Sequence, residues 1–404
     1  MLKNTALTFS ISKSINIIIL LAFILTPIFT IKESMALIFG GIISQTEIAT
    51  PIYIKLLKDL MFIMLILFSI LGIFYSKRIL KINIFLILYI IFLLLIAYLF
   101  KNDLIIFFSG IRWLIPFMLM LLLIPYITKE LIIKISYIGF YLFIFHFSIQ
   151  LFQLFFAGAW FGLNAFGLSA RNPGIFFIPS TSAFFTILIL FLNMFYMDDQ
   201  KIKRFIFILS PISVFLTASG SGVVVYMVIV LLYLLKKRYM SLLPILGIVL
   251  FLIVFLTLED IVGRKDFIEL SFGVRIMIFL ELLQNSDLFS SNFGYATNTG
   301  VLIGSFSGVE NAAFVADSTY ASILGNLGLF TFILVMLFIF LSLFLAWLQK
   351  DREKLIFILI YFLFSATTII FEAYPMNLLF SILMAYYLRN YKNERTYETP
   401  NNPQ

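Results

Sequence analysis

LIIFFSGIRWLIPFMLMLLLIPYI, residues 104–127, runs for 24 residues with a single charge, Arg112. At about 1.5 Å of rise per residue, a helix of that length crosses the roughly 30 Å hydrocarbon layer of a bilayer. A soluble helix would carry a polar stripe recurring every three or four residues, and none recurs here. Similar blocks fill much of the 404-residue chain: 62% of its residues are hydrophobic, 50 are Phe, and 12% are charged. That charge content is about half of what a water-soluble domain carries. The chain therefore reads as an all-α integral membrane protein with one membrane-embedded domain.

Segments able to cross a bilayer lie at 15–31, 60–76, 82–100, 104–127, 131–157, 175–197, 205–219, 221–235, 241–258, 319–348, 355–371 and 374–388, about twelve in all. Those at 205–219, 221–235 and 374–388 fall short of the roughly 20 residues usual for a span. MALIFGGII at 35–43 is too short to span and reads as a re-entrant or interfacial piece. The first apolar block follows Lys3 and Lys13 in the manner of a signal sequence, but no small-residue cleavage site follows it; a retained first span is expected.

With the N-terminus placed in the cytoplasm, 19 of the 28 Lys and Arg residues fall on the inner side and about 13 of the 20 acidic residues on the outer. Basic residues in short loops stay cytoplasmic, so this distribution supports an even number of spans with both termini inside. The net charge of +8 is thus a topology signal rather than a sign of nucleic-acid binding. Residues 1–388 form the polytopic domain and 389–404 a cytoplasmic tail, while 158–174 and 259–318 become external loops. The second loop, of about 60 residues, is far longer than ordinary connections and is expected to be functional.

The chain has no cysteine, which excludes disulfides, thiolate nucleophiles and cysteine metal sites. Its one histidine cannot supply a usual zinc ligand set, and no metal or cofactor is expected. No GxxxxGK[ST] sequence occurs, which argues against ATP-driven transport by this chain.

Polar residues inside apolar blocks then mark the candidates. Arg112 lies in the outer half of its span, where it snorkels to headgroups, binds an anionic substrate group or forms an internal ion pair. His146, Gln150 and Gln153 share one helix face, which serves a structural hydrogen-bond network or a substrate. Arg171 opens RNPGIFFIPST, where Pro173, Gly174 and Pro179 shape the chain and Ser180 follows at the start of the next span. That arginine is an interfacial anchor or a substrate contact. The small residues of TASGSG, 217–222, suit close helix packing or exposed amides facing a phosphate. In the large loop, residues 273–284 read as an interfacial apolar helix carrying Arg275, with Arg264 before it and Glu310 and Asp317 after it. Arginines and carboxylates thus gather at one face, as a site gripping a diphosphate requires.

The order of these features resembles the bacterial O-antigen polymerases, which share a superfamily of integral-membrane glycosyltransferases with the O-antigen ligases. The resemblance is carried by the twelve or so spans, the RNPGIFFIPST segment, the TASGSG turn, GVRIMIFLELL at 273–283 and the closing DSTYASILGNLGLFT at 317–331. It implies a metal-independent enzyme of the bacterial inner membrane with a periplasmic active site. Such an enzyme transfers a growing glycan from undecaprenyl diphosphate onto a new lipid-linked repeat unit, with inversion at the anomeric carbon. Arg171 and Arg275 match the family's two arginines and would bind the diphosphate. Ligases carry a histidine, then Asn, Ser or Gln, nine residues and a glycine; here the frame reads Asp317, Ser318, nine residues and Gly328. Ser219-Gly220 stands where ligases tend to have Ser-Arg, and both departures favour a polymerase. Asp317 becomes the expected base, with His146 and Glu310 in reserve. Arg112, His146, Ser180, Arg264 and Glu310 are the expected substrate contacts. The expected partners are lipid-linked oligosaccharide donor and acceptor, membrane lipids, a chain-length regulator and a flippase, without nucleic acid. The rival readings are an O-antigen ligase acting on lipid A-core and a lipid-linked oligosaccharide flippase.

Overall fold

A computed structural model describes residues 2–30, 52–76, 88, 91, 92, 95, 104–156, 171–176, 178–235, 274–289, 293–297 and 318–397. Regular structure among them is helical throughout, with no strand. In chain order the helices are α1 (Leu2–Ile24), α2 (Ile52–Ser76), α3 (Leu104–Leu122) and α4 (Lys129–Phe156). There follow α5 (Pro179–Tyr196), α6 (Gln200–Leu216), α7 (Gly220–Leu234) and α8 (Val274–Gln284). The last three are α9 (Thr319–Leu348), α10 (Arg352–Ser365) and α11 (Met376–Tyr397).

Among the described residues, four helices are long and apolar enough to cross a membrane: Leu56–Phe74 within α2, Lys129–Phe155 within α4, α5, and α9. Ser10–Ile24, Ile106–Leu122 and Gly220–Leu234 are shorter apolar helices. The expected span at 241–258 and the piece at 35–43 lie outside the described residues, as does 82–100 apart from the helical Leu88, Ile91, Phe92 and Leu95. Several boundaries differ from expectation, α11 running through Tyr397 into the expected tail among them, and two have plain local reasons. The stretch that opened at Leu104 leaves the helix after Leu122, because Pro125 brings no amide to continue the ladder and the chain turns. The helix expected from 175 starts at Pro179, because Asn172–Ile175 is held as a turn described below.

Burial sorts the helices. α5 is enclosed on all sides, with Thr181 to Asn193 buried without interruption, and it packs against α4, α6, α7, α10 and α11. A helix buried on every side belongs at the centre of a bundle, and its few polar side chains find partners there, as Thr186 does with Ser213. α2 instead exposes Tyr53, Leu56, Leu60, Ile63, Leu67, Leu71 and Phe74 along one face, and α9 exposes Phe330, Leu334, Leu337, Leu341, Phe344 and Leu348. In water such stripes would be large adhesive patches; in a bilayer they are the lipid contact.

The two ends of the bundle are tied differently. At one end Glu353 accepts hydrogen bonds from Tyr196 and, at 2.9 Å, from Tyr387, joining α5, α10 and α11. Arg352 donates to the carbonyls of Tyr233 (2.7 Å) and Leu235 (3.1 Å), and Arg389 to that of Ile127 (2.7 Å), so arginines close the open carbonyls of neighbouring chain ends. At the other end, hydroxyls do the tying: Ser318 Oγ donates to Ser365 O (3.2 Å) and Thr319 Oγ1 to Thr368 O (2.6 Å).

Candidate functional site

The candidate site is built at the hydroxyl-rich end, around the turn Asn172–Ile175. Its backbone enters a buried position and finds a partner for each polar group named here. Gln153 on α4 donates from Nε2 to Gly174 O and accepts from Gly174 N–H, both at 2.8 Å. Gln150, one turn earlier, donates to Asn172 O (3.0 Å) and Ser213 O (3.1 Å) and accepts from Ser213 Oγ (2.6 Å). His146 Nδ1 accepts from Ile175 N–H (3.3 Å), and its Nε2 lies 3.2 Å from Ser182 Oγ on α5. Asn172 N–H donates to Leu216 O at the end of α6 (2.9 Å). Unpaired amides at this depth would be costly, and the polar stripe of α4 satisfies them.

Gly174 is required twice over. Its φ is +65°, and a Cβ there would sit 2.4 Å from the His146 ring. The turn therefore carries half-buried Arg171 at its start and delivers the chain to α5 at its end. Ile178, which precedes α5, offers no side-chain cap, Pro179 occupies the first turn, and Ser180 is half-buried there. An arginine thus stands just before the locked turn Asn172–Ile175, and the positive end of a helix dipole follows at Pro179.

The TASGSG turn serves packing and capping. Ser219 caps α7 by accepting from Gly222 N–H (3.3 Å), and a Cβ on Gly222 would come within 2.4 Å of the Ala183 Cβ on α5. This brings α7 close to the first turns of α5 and fixes the wall beside the locked turn.

The remaining expected residues are distributed as follows. His146 is fully buried and both ring nitrogens face groups of the protein, so its observed work is to hold the turn. Arg112 pairs with Asp59 on α2 through Nε–Oδ1 at 3.2 Å, which realises the ion-pair alternative and joins α2 to α3. Arg275 lies in the first turn of α8, which packs against α9. Arg264, Glu310 and Asp317 lie outside the described residues. Ser322 and Asn326, which bond the stretch 293–297, were not singled out from sequence, although their i, i+4 spacing gave the same kind of signal as Gln150 near His146. Among the described residues no group of three acidic or histidine side chains forms a metal site.

Compared with known proteins, the chain matches no family model, no curated protein and no solved structure.

Proposed function

We propose that this chain is an integral-membrane glycosyltransferase of the O-antigen polymerase type, working at the outer face of a bacterial inner membrane. The observation that carries the reading is the locked turn: the protein commits three polar side chains of α4 to fixing the short backbone segment beside Arg171. An arginine that opens a fixed turn leading into a helix N-terminus suits a diphosphate, which a guanidinium binds through paired donors. The lipid-facing stripes of α2 and α9 suit a substrate that arrives on an isoprenoid chain. The charge of Arg112 is answered within the protein by Asp59.

In this reading the chain has about twelve spans with both termini cytoplasmic. The acceptor hydroxyl of a lipid-linked repeat attacks the anomeric carbon of the growing glycan. A new C–O bond forms as the bond to undecaprenyl diphosphate breaks, with inversion. The hydroxyl proton passes to the Asp317 carboxylate, and the electron pair leaves on the diphosphate, whose growing charge Arg171 and Arg275 balance. His146 supports the turn rather than touching substrate.

The test uses purified protein in proteoliposomes with a defined lipid-linked repeat and no lipid A-core. A polymerase builds a ladder of products; a ligase or flippase builds none. Arg171→Ala is expected to abolish the ladder in folded protein, and unchanged ladder formation by that variant rejects the site.

A further inference from the structure

The large loop meets the bundle at a break in α9. Gly328 has φ 77° and ψ 174°, so the helix stops and restarts there. The break frees the amides of Leu329 and Phe330, and these donate to the carbonyls of Asp287 and Leu288, just beyond α8, at 3.1 Å each. Two residues before the break, Asn326 Oδ1 accepts the N–H groups of Gly294 (2.9 Å) and Ala296 (3.2 Å). Its Nδ2 donates to Ala296 O (2.8 Å) and to Ser322 Oγ (3.2 Å), and Ser322 Oγ donates to Ala296 O (2.5 Å). The stretch 293–297 is wedged tightly on both sides: a Cβ on Gly110 of α3 would lie 2.5 Å from the Phe293 ring, and one on Gly325 of α9 would lie 2.6 Å from the Ala296 Cβ. Phe279 meets Phe332 and Phe289 meets Phe330, with ring centroids 5.6 and 5.7 Å apart, beyond the break. The described stretches 274–289 and 293–297 thus grip α9 on both sides of Gly328.

We infer that Asn326 is a positioning residue: together with the break at Gly328 it docks α8, the helix that carries Arg275, onto α9. The functional half of this inference rests on the reading above, in which Arg275 binds the diphosphate and Asn326 acts through it. Asn326 is built for the task, because one amide side chain answers three backbone groups of a wedge that has no helix or strand of its own.

The absence of cysteine allows a clean test, since a pair introduced at Phe279 and Phe332 reports docking against no background thiol. In the full chain in proteoliposomes, F279C/F332C is expected to cross-link readily with a short bifunctional thiol reagent. Adding Asn326→Ala lowers the cross-linking rate roughly thirtyfold or more, the scale of stranding two buried amides, and Ser322→Ala, which removes fewer bonds, lowers it about threefold. In the polymerisation assay, N326A and R275A each lower kcat, and N326A/R275A is no worse than R275A alone, because residues acting through one group are not additive. A merely structural loss would instead multiply. Cross-linking rates unchanged in both N326A and S322A overturn the docking, and a multiplicative loss in the double variant overturns the positioning role. Should N326A fail to fold, S322A and S322A/R275A decide both points. Should the unaltered chain form no polymer, the proposed reaction and the role assigned to Asn326 fall together, while the cross-linking arm still decides whether α8 is docked.

Discussion

Replacing Gln153 with Leu keeps the side chain's bulk and removes both hydrogen bonds to Gly174. The amide and carbonyl of Gly174 are buried and each bond is 2.8 Å, so both groups lose a good partner in a place water does not reach. Stranding two buried groups at about 1–3 kcal/mol each raises the closed turn by roughly 2–6 kcal/mol. The lower end, about 2 kcal/mol, increases the open population roughly thirtyfold, and about 3 kcal/mol more than a hundredfold. The consequence is local, because Gln150, His146 and the packing of α5 are untouched. Limited trypsin digestion reads it directly, since the bond after Arg171 is cleaved only when the turn opens. The unaltered protein should resist cutting there, and Q153L should release a fragment ending at Arg171 roughly thirtyfold or more faster at equal protease. Under the proposed reaction, the same variant loses most of its ladder while remaining folded. Equal cutting rates at Arg171 in folded Q153L and unaltered protein would refute the claim that Gln153 holds the turn.

Gly174→Ala combines a left-handed φ with a 2.4 Å approach to His146, and it is expected to destabilise the protein by about 2–4 kcal/mol, read as a lower unfolding midpoint in detergent. Arg112→Ala strands Asp59 in a partly exposed setting, so a loss between the ~1 kcal/mol of surface pairs and the ~3 kcal/mol of buried ones is expected; the exchange R112D/D59R should recover part of it, as thermal unfolding in nanodiscs would show. Tyr196→Phe removes one of two phenol donors to Glu353 at the opposite end of the bundle, with a loss of about 1.5–3 kcal/mol in unfolding midpoint measurements and no effect on the resistance of Arg171 to trypsin.

Much of the architecture was legible in the sequence because a bilayer imposes it through composition. Apolar blocks near 20 residues long must become helices whose backbone groups bond internally, so α2, α4, α5 and α9 are readable as candidate spans from their residues alone. The shared face of His146, Gln150 and Gln153 was likewise visible, since helical spacing is a local property. Nothing in that spacing said what the stripe would bond. Its partners, Asn172 to Ile175, lie more than 20 residues away across a connection, and only the folded chain brings the two together. Arg112 shows the same division. One arginine in an apolar stretch must be answered, but whether by headgroup, ligand or carboxylate depends on which helix lies alongside, and that helix is α2 with Asp59.

Sequence by itself therefore determined that this is a helical protein suited to a bilayer, and which polar residues demanded an explanation. Tertiary structure alone decided that α5 lies at the centre and α9 at the edge, although both are apolar enough to span a membrane. It also decided that Gly328 breaks α9 and that Asn326 answers the wedge at 293–297. The physical reason is that solvent preference acts on each residue separately and is written along the chain. Hydrogen-bond and packing partners are chosen among groups distant in sequence, and they exist only once the helices have met.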